Sequence, residues 1–98
     1  MIDRIRDENT DFLFECILKL ESEEECYAFF GDLCTVAELK EMSKRMKAAR
    51  MLKENAVYST IVKETGLSSA TISRVNRSLK YGNDGYHIAF NRLDDNDE

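Results

Sequence analysis

Apolar residues recur along this chain at a helical period for most of its length. Phe12, Leu13, Cys16, Ile17 and Leu20 stand at i, i+1, i+4, i+5 and i+8, one face of a helix over about residues 10–20. Cys26, Tyr27, Phe29 and Phe30 make a second, aromatic face, opened by Ser22-Glu-Glu-Glu25 and closed by Gly31-Asp32. In that opening Ser22 is placed to cap and Glu25 to reach back, which is a capping box. Thr35-Val-Ala-Glu38 repeats the arrangement and starts the longest helix, about 36–53. Its apolar stripe is Val36, Leu39, Met42, Met46, Ala49 and Leu52, and Asn55-Ala56 breaks it. A further turn falls at Gly82, Asn83, Asp84 and Gly85. Beyond it Tyr86, His87, Ile88, Ala89, Phe90 and Leu93 form a last short helix.

The chain has no proline and four glycines in 98 residues, so β-turn chemistry is scarce and the pattern specifies an all-α bundle of about six helices. Residues 1–9 read as an arm, 10–93 as one helical domain, and 94–98 as an acidic tail suited to disorder. The aromatic faces are too wide for so short a chain to cover alone, which predicts a homodimer.

Residues 58–77 carry the most chemistry. Ile61 and Val62 lie before Gly66, and Leu67, Ile72 and Val75 lie after it, so two short helices flank one glycine. Gly66 reaches positive φ without a Cβ clash, and Ser68 then stands where an N-cap belongs. With Ile72 and Val75 turned inward, the second helix shows Ser69, Ala70, Ser73, Arg74 and Arg77 outward. This is the form of a helix-turn-helix. Ser68, Ser69, Ala70, Thr71, Ser73, Arg74 and Arg77 are placed to face the groove of double-stranded DNA. Lys63 and Lys80 are placed to meet phosphates.

Net charge argues the other way, since it is −5. Its distribution reverses the argument. Residues 1–39 hold eleven acids and three bases, a charge of −8. Residues 40–80 hold ten bases against three acids, +7, and residues 81–98 carry −4. Local potential attracts the phosphate backbone, and the positive block surrounds the helix-turn-helix. The alternative reading is a helical interaction module whose basic face binds an acidic protein.

Other chemistry is sparse. Cys16, Cys26 and Cys34 are odd in number and lack the spacing of a metal or redox motif, so reduced thiols and no metal site are expected. His87 is the sole histidine and has no acid–base partner in the pattern, and no phosphate loop or nucleophile motif is present, so no enzymatic activity is expected. No stretch approaches a membrane span or a signal peptide, and a cytoplasmic location is expected.

From Ser69 to Gly82, above all in Ala70-Thr-Ile-Ser-Arg74 and Ser78-Leu-Lys80, the chain resembles the Trp-repressor superfamily, in particular its YerC/YecD-type branch. Helix order, the Thr35–Glu38 helix start and total length extend the likeness over about residues 10–93. The resemblance implies an intertwined all-α homodimer that regulates transcription, with a recognition helix over about 68–80. It also implies an effector pocket. In the family L-tryptophan, the corepressor, lies between two arginines. Arg74 matches one of them, and the other falls near Lys47. Val75 stands where the corepressor-binding repressor has a glycine, and its methyl groups fill space the indole needs. No cofactor is therefore expected, and tryptophan is a doubtful ligand.

Overall fold

The computed structural model describes residues 2–96. It comprises a 3-10 turn at Ile2–Arg4 followed by α1 (Glu8–Ile17), α2 (Glu23–Leu33), α3 (Val36–Lys53), α4 (Tyr58–Thr65), α5 (Ser69–Tyr81) and α6 (Gly85–Asn96). No strand occurs among the described residues. The chain divides into two compact units, residues 1–39 and 40–98.

In the first unit the helix starts are set by side-chain caps. Asp7 Oδ1 accepts from the Thr10 amide at 2.7 Å, so α1 begins at Glu8 and shortens the expected arm. That bond holds the Asp7 carboxyl below its ordinary range. Ser22 Oγ accepts from the Glu25 amide at 3.1 Å, while Glu25 Oε1 takes the amide of Glu21 at 2.8 Å. Thr35 and Glu38 close a reciprocal box at 2.8 and 3.1 Å, and the Thr35 amide lowers the Glu38 pKa. These caps satisfy amides that a helix start otherwise leaves open.

Neither α1 nor α2 contains a buried residue. Phe12 is 67% exposed, Leu18 82% and Tyr27 64%. Phe29 and Phe30 meet edge to face, with centroids 5.2 Å apart. Of the apolar stripes, Phe12 and Tyr27 stand exposed, while Leu13, Cys16, Ile17, Leu20, Cys26, Phe29 and Phe30 are half-buried.

The second unit holds the core. Ala48, Ala49, Ile61, Leu67, Ile72, Val75 and Phe90 are buried together, with Met51, Leu52, Ala56 and Tyr86 packed against them. On α3 the core takes the two alanines, whereas Met46 and Val36 of the expected stripe remain exposed. Small side chains let neighbouring helices approach closely, so Ala48 carries weight that a pattern of large apolar residues misses.

α6 reaches Asn96. Asp94 and Asp95, assigned to the tail from sequence, are helical, and Asp97 and Glu98 lie outside the described residues. Arg50 of α3 holds Asp94, which fixes the last turns of α6 to the core unit. The same guanidinium lies 5.1 Å from the centre of the Phe90 ring, with Lys53 Nζ at 5.6 Å. Both distances fall within the reach of cation–π attraction.

Candidate nucleic-acid interface

The turn between α4 and α5 is built by Thr65, Gly66 and Ser68. Gly66 has φ 75°, the left-handed conformation, and its amide donates to the Val62 carbonyl at 2.8 Å. Nothing lies within 4 Å of where its Cβ would stand, so the backbone angle alone calls for glycine. Buried Thr65 staples the turn from the other side. Its Oγ1 donates to the Ile61 carbonyl at 2.7 Å and accepts from the Leu67 amide at 3.1 Å. Sequence reasoning passes over Thr65; a threonine just before a helix-ending glycine is the available signal. Ser68 Oγ accepts from the Thr71 amide at 3.1 Å and meets Thr71 Oγ1 at 3.0 Å.

α5 buries Ile72, Val75 and Leu79 and exposes Ser69, Ala70, Ser73, Arg74, Arg77 and Lys80. The exposed set keeps a helical period and forms one continuous stripe. Two expected members stand apart from it. Thr71 is half-buried, and Ser68 and Thr71 direct their hydroxyls into the cap. Lys63 is exposed on the last turn of α4.

Electrostatics divides the ten bases of residues 40–80 into two sets. Lys47 pairs with Glu64 at 4.0 Å, Arg50 is held by Glu54 and Asp94, and Lys53 donates to Asn91 at 3.2 Å. Among the described residues Lys40, Lys44, Arg45, Lys63, Arg74, Arg77 and Lys80 form no ion pair. The second set includes every base of the α5 stripe.

Beside that stripe lies a cleft of about 140 Å³, lined by Glu41 and Arg45 of α3, Thr71, Arg74, Val75 and Ser78 of α5, and Tyr86 of α6. Arg74 and Val75 belong to it as expected. Lys47 does not. It lies two residues beyond Arg45, about 200° around the helix, and pairs with Glu64. Glu41 and Arg45, one turn apart on α3, escape sequence reasoning because charged pairs at that spacing are common on solvated helices.

Other groups are already engaged. His87 Nε2 contacts the Leu79 carbonyl at 2.8 Å, tying α6 to α5. Among the described residues no cluster of acids, histidine and cysteines is arranged to hold a metal, and no helix is long and apolar enough to cross a membrane.

Two short helices around a left-handed glycine, the second with a basic exposed face, define a helix-turn-helix protein. Comparison with known sequences and structures makes the assignment specific. The family model described as Trp repressor protein matches residues 8–94. The Bacillus subtilis (strain 168) protein YerC is 51% identical over 92 residues, spanning 94% of this chain and 88% of that protein. The crystal structure of a candidate Trp repressor from Staphylococcus aureus superposes with a TM-score of 0.91 at 49% identity, covering 96% of this chain and 94% of that one. A TrpR-like protein from Eubacterium eligens ATCC 27750 gives 0.89 at 47% identity, covering 93% and 94%. This chain belongs to the Trp repressor family, as a YerC-type Trp-repressor-like protein.

Proposed function

We propose that this protein is a sequence-specific regulator of transcription that binds double-stranded DNA as a homodimer and represses by occupying its operator. The observation that carries this reading is the α5 stripe. Arg74, Arg77 and Lys80 stand exposed and form no ion pair among the described residues, on a rigid helix whose opposite face is buried. Ser69, Ala70 and Ser73 at its start are small enough for base edges to come close, and Arg77 is suited to paired hydrogen bonds with guanine. Lys80, at the C-terminal end of the stripe, and Lys63, on the last turn of α4, anchor phosphates.

Dimerisation follows from the uncovered faces of α1 and α2. A second copy buries Phe12, Leu18 and Tyr27 and sets two recognition helices against the two halves of a palindrome. The protein acts in the cytoplasm, with Cys16, Cys26 and Cys34 as free thiols, and has no enzymatic role.

Binding needs no L-tryptophan. A cavity of about 150 Å³ holds a benzene ring. The cleft beside α5 is about 140 Å³, close to that size, and Val75 is part of its lining. Val75, 3% exposed, fills the space below it.

Selection of bound genomic fragments by the purified protein, followed by titration of the selected duplex over a salt series, tests the proposal. Binding that is specific and falls steeply with salt supports it. Failure to bind any fragment at moderate salt, with capture of an acidic protein instead, overturns it in favour of an interaction module.

A further inference from the structure

We propose that His87 is a positioning residue for DNA recognition: its bond to the Leu79 carbonyl makes α6 a strut that fixes Lys80 for its phosphate. The proposal rests on the DNA-binding reading and extends it to a residue outside the helix-turn-helix.

The last carbonyls of a helix have no partner inside it. At the end of α5 the Gly82 amide takes the Ser78 carbonyl at 2.9 Å. His87, the third residue of α6, meets the next one, with Nε2 2.8 Å from the Leu79 oxygen. A carbonyl only accepts, so that ring nitrogen carries the hydrogen and donates it. A carbonyl and the amide that follows share one planar unit. The Leu79 oxygen is therefore rigid with the Lys80 nitrogen, and the bond from His87 fixes the plane from which Lys80 departs. The Leu79 side chain is buried at 7% exposure, so this residue is held by side chain and carbonyl together, while Lys80 beside it stays exposed.

The joint between the two helices is built to bring His87 there. Residues 82–84 alone link α5 to α6. A Cβ on Gly82 would collide with the Ser78 carbonyl. Asp84 takes a left-handed φ of 64°, and its carbonyl accepts from the Ile88 amide at 2.9 Å. α6 is itself anchored: Phe90 is buried in the core, Asn91 accepts from Lys53, and Arg50 grips Asp94. Contacts thus run without a break from α3 through α6 to the last turn of α5. Arg77 lies one turn earlier, where the ladder of the helix holds the backbone. His87 therefore serves the phosphate anchor rather than the base reader.

The test titrates His87→Ala, His87→Gln, His87→Asn and the His87→Ala/Lys80→Ala double variant against the selected and random duplexes over a salt series. Circular dichroism and melting temperature report folding. Glutamine places an uncharged N–H donor near the position of Nε2, and asparagine is one bond too short. His87→Ala weakens both duplexes alike, about tenfold per half-site, and leaves their ratio unchanged. It lowers the salt slope as Lys80→Ala does, by about 0.9 for each phosphate lost, and the double variant lowers it no further. His87→Gln restores affinity and slope, which shows that the slope does not read a charge on the imidazole. His87→Asn restores neither. A histidine that only supports the fold lowers the melting temperature without moving the slope.

An unchanged slope in His87→Ala, additive losses in the double variant, or no rescue by His87→Gln overturns the proposal. Failure of both His87→Ala and His87→Asn to fold also overturns it, since the contact then serves the fold. If the parent protein binds no DNA, the DNA-binding reading has failed, and amide hydrogen exchange decides the strut separately. Faster exchange of the Gly82 amide in His87→Ala, with the parent rate kept in His87→Gln, retains the strut. Equal rates in all three overturn it.

Discussion

Arg50 grips Asp94 with both ends of its guanidinium, at 2.7 Å to Oδ1 and 3.2 Å to Oδ2. Those hydrogen bonds hold the Asp94 carboxyl below its ordinary range, against a smaller opposing effect of desolvation, and the charges of Arg50 and Lys53 reinforce them. A carboxyl depressed in the folded state contributes stability that is present above its unfolded value and lost as pH falls through the folded one. Stability should therefore decline on acidification below the ordinary carboxylate range, and Asp94→Asn should flatten that acid limb. Urea unfolding across acid pH checks this. Superimposable limbs for parent and variant would show that the latch adds no stability.

The α4–α5 turn predicts two separate losses. Gly66→Ala forces a Cβ into the left-handed region at φ 75°, a cost of about 1–2 kcal/mol. Thr65→Val keeps the shape but strands the Leu67 amide in a buried turn, costing about 1–3 kcal/mol. Equilibrium denaturation measures both. If Thr65→Val proves neutral, the staple is a minor element of the turn.

Legibility in the sequence follows the range of the interactions. The Thr35–Glu38 box, the Ser68 cap and Gly66 are local, and the residues that make them are four or fewer positions apart. The Arg50–Asp94 pair joins residues 44 positions apart, and nothing in an acidic C-terminal run distinguishes Asp94 from its neighbours. α6 therefore extends past the point where apolar spacing stops. The cleft shows a related limit. Periodicity identifies α3, yet choosing Arg45 over Lys47 needs the rotation of α3 against α5, which neighbouring helices set. The α5 stripe is readable because a three-residue apolar face, Ile72, Val75 and Leu79, defines its opposite side.

The bare faces of α1 and α2 predict an obligate dimer. Light scattering at micromolar concentration should give twice the mass of one chain, and Phe12→Asp should dissociate the dimer and lower its melting temperature together. A folded, stable monomer of the parent protein would contradict the dimer.

Tryptophan should leave the melting temperature unchanged, because a ligand bound only to the folded state must raise it. Val75→Gly enlarges the cleft at a helix-propensity cost of about 1 kcal/mol. A saturable shift in the unmodified protein, matched by tighter operator binding, would show that Val75 leaves the pocket open.

Whether α5 reads DNA is decided by fluorescence anisotropy of Arg77→Ala and Lys80→Ala on selected and random duplexes over a salt series. Arg77→Ala should cost about 1–3 kcal/mol on the selected duplex and much less on random DNA. Lys80→Ala should weaken both alike and reduce the salt slope. If both variants bind both duplexes as the parent does, α5 is not the reading helix and the proposed mode of DNA recognition is wrong.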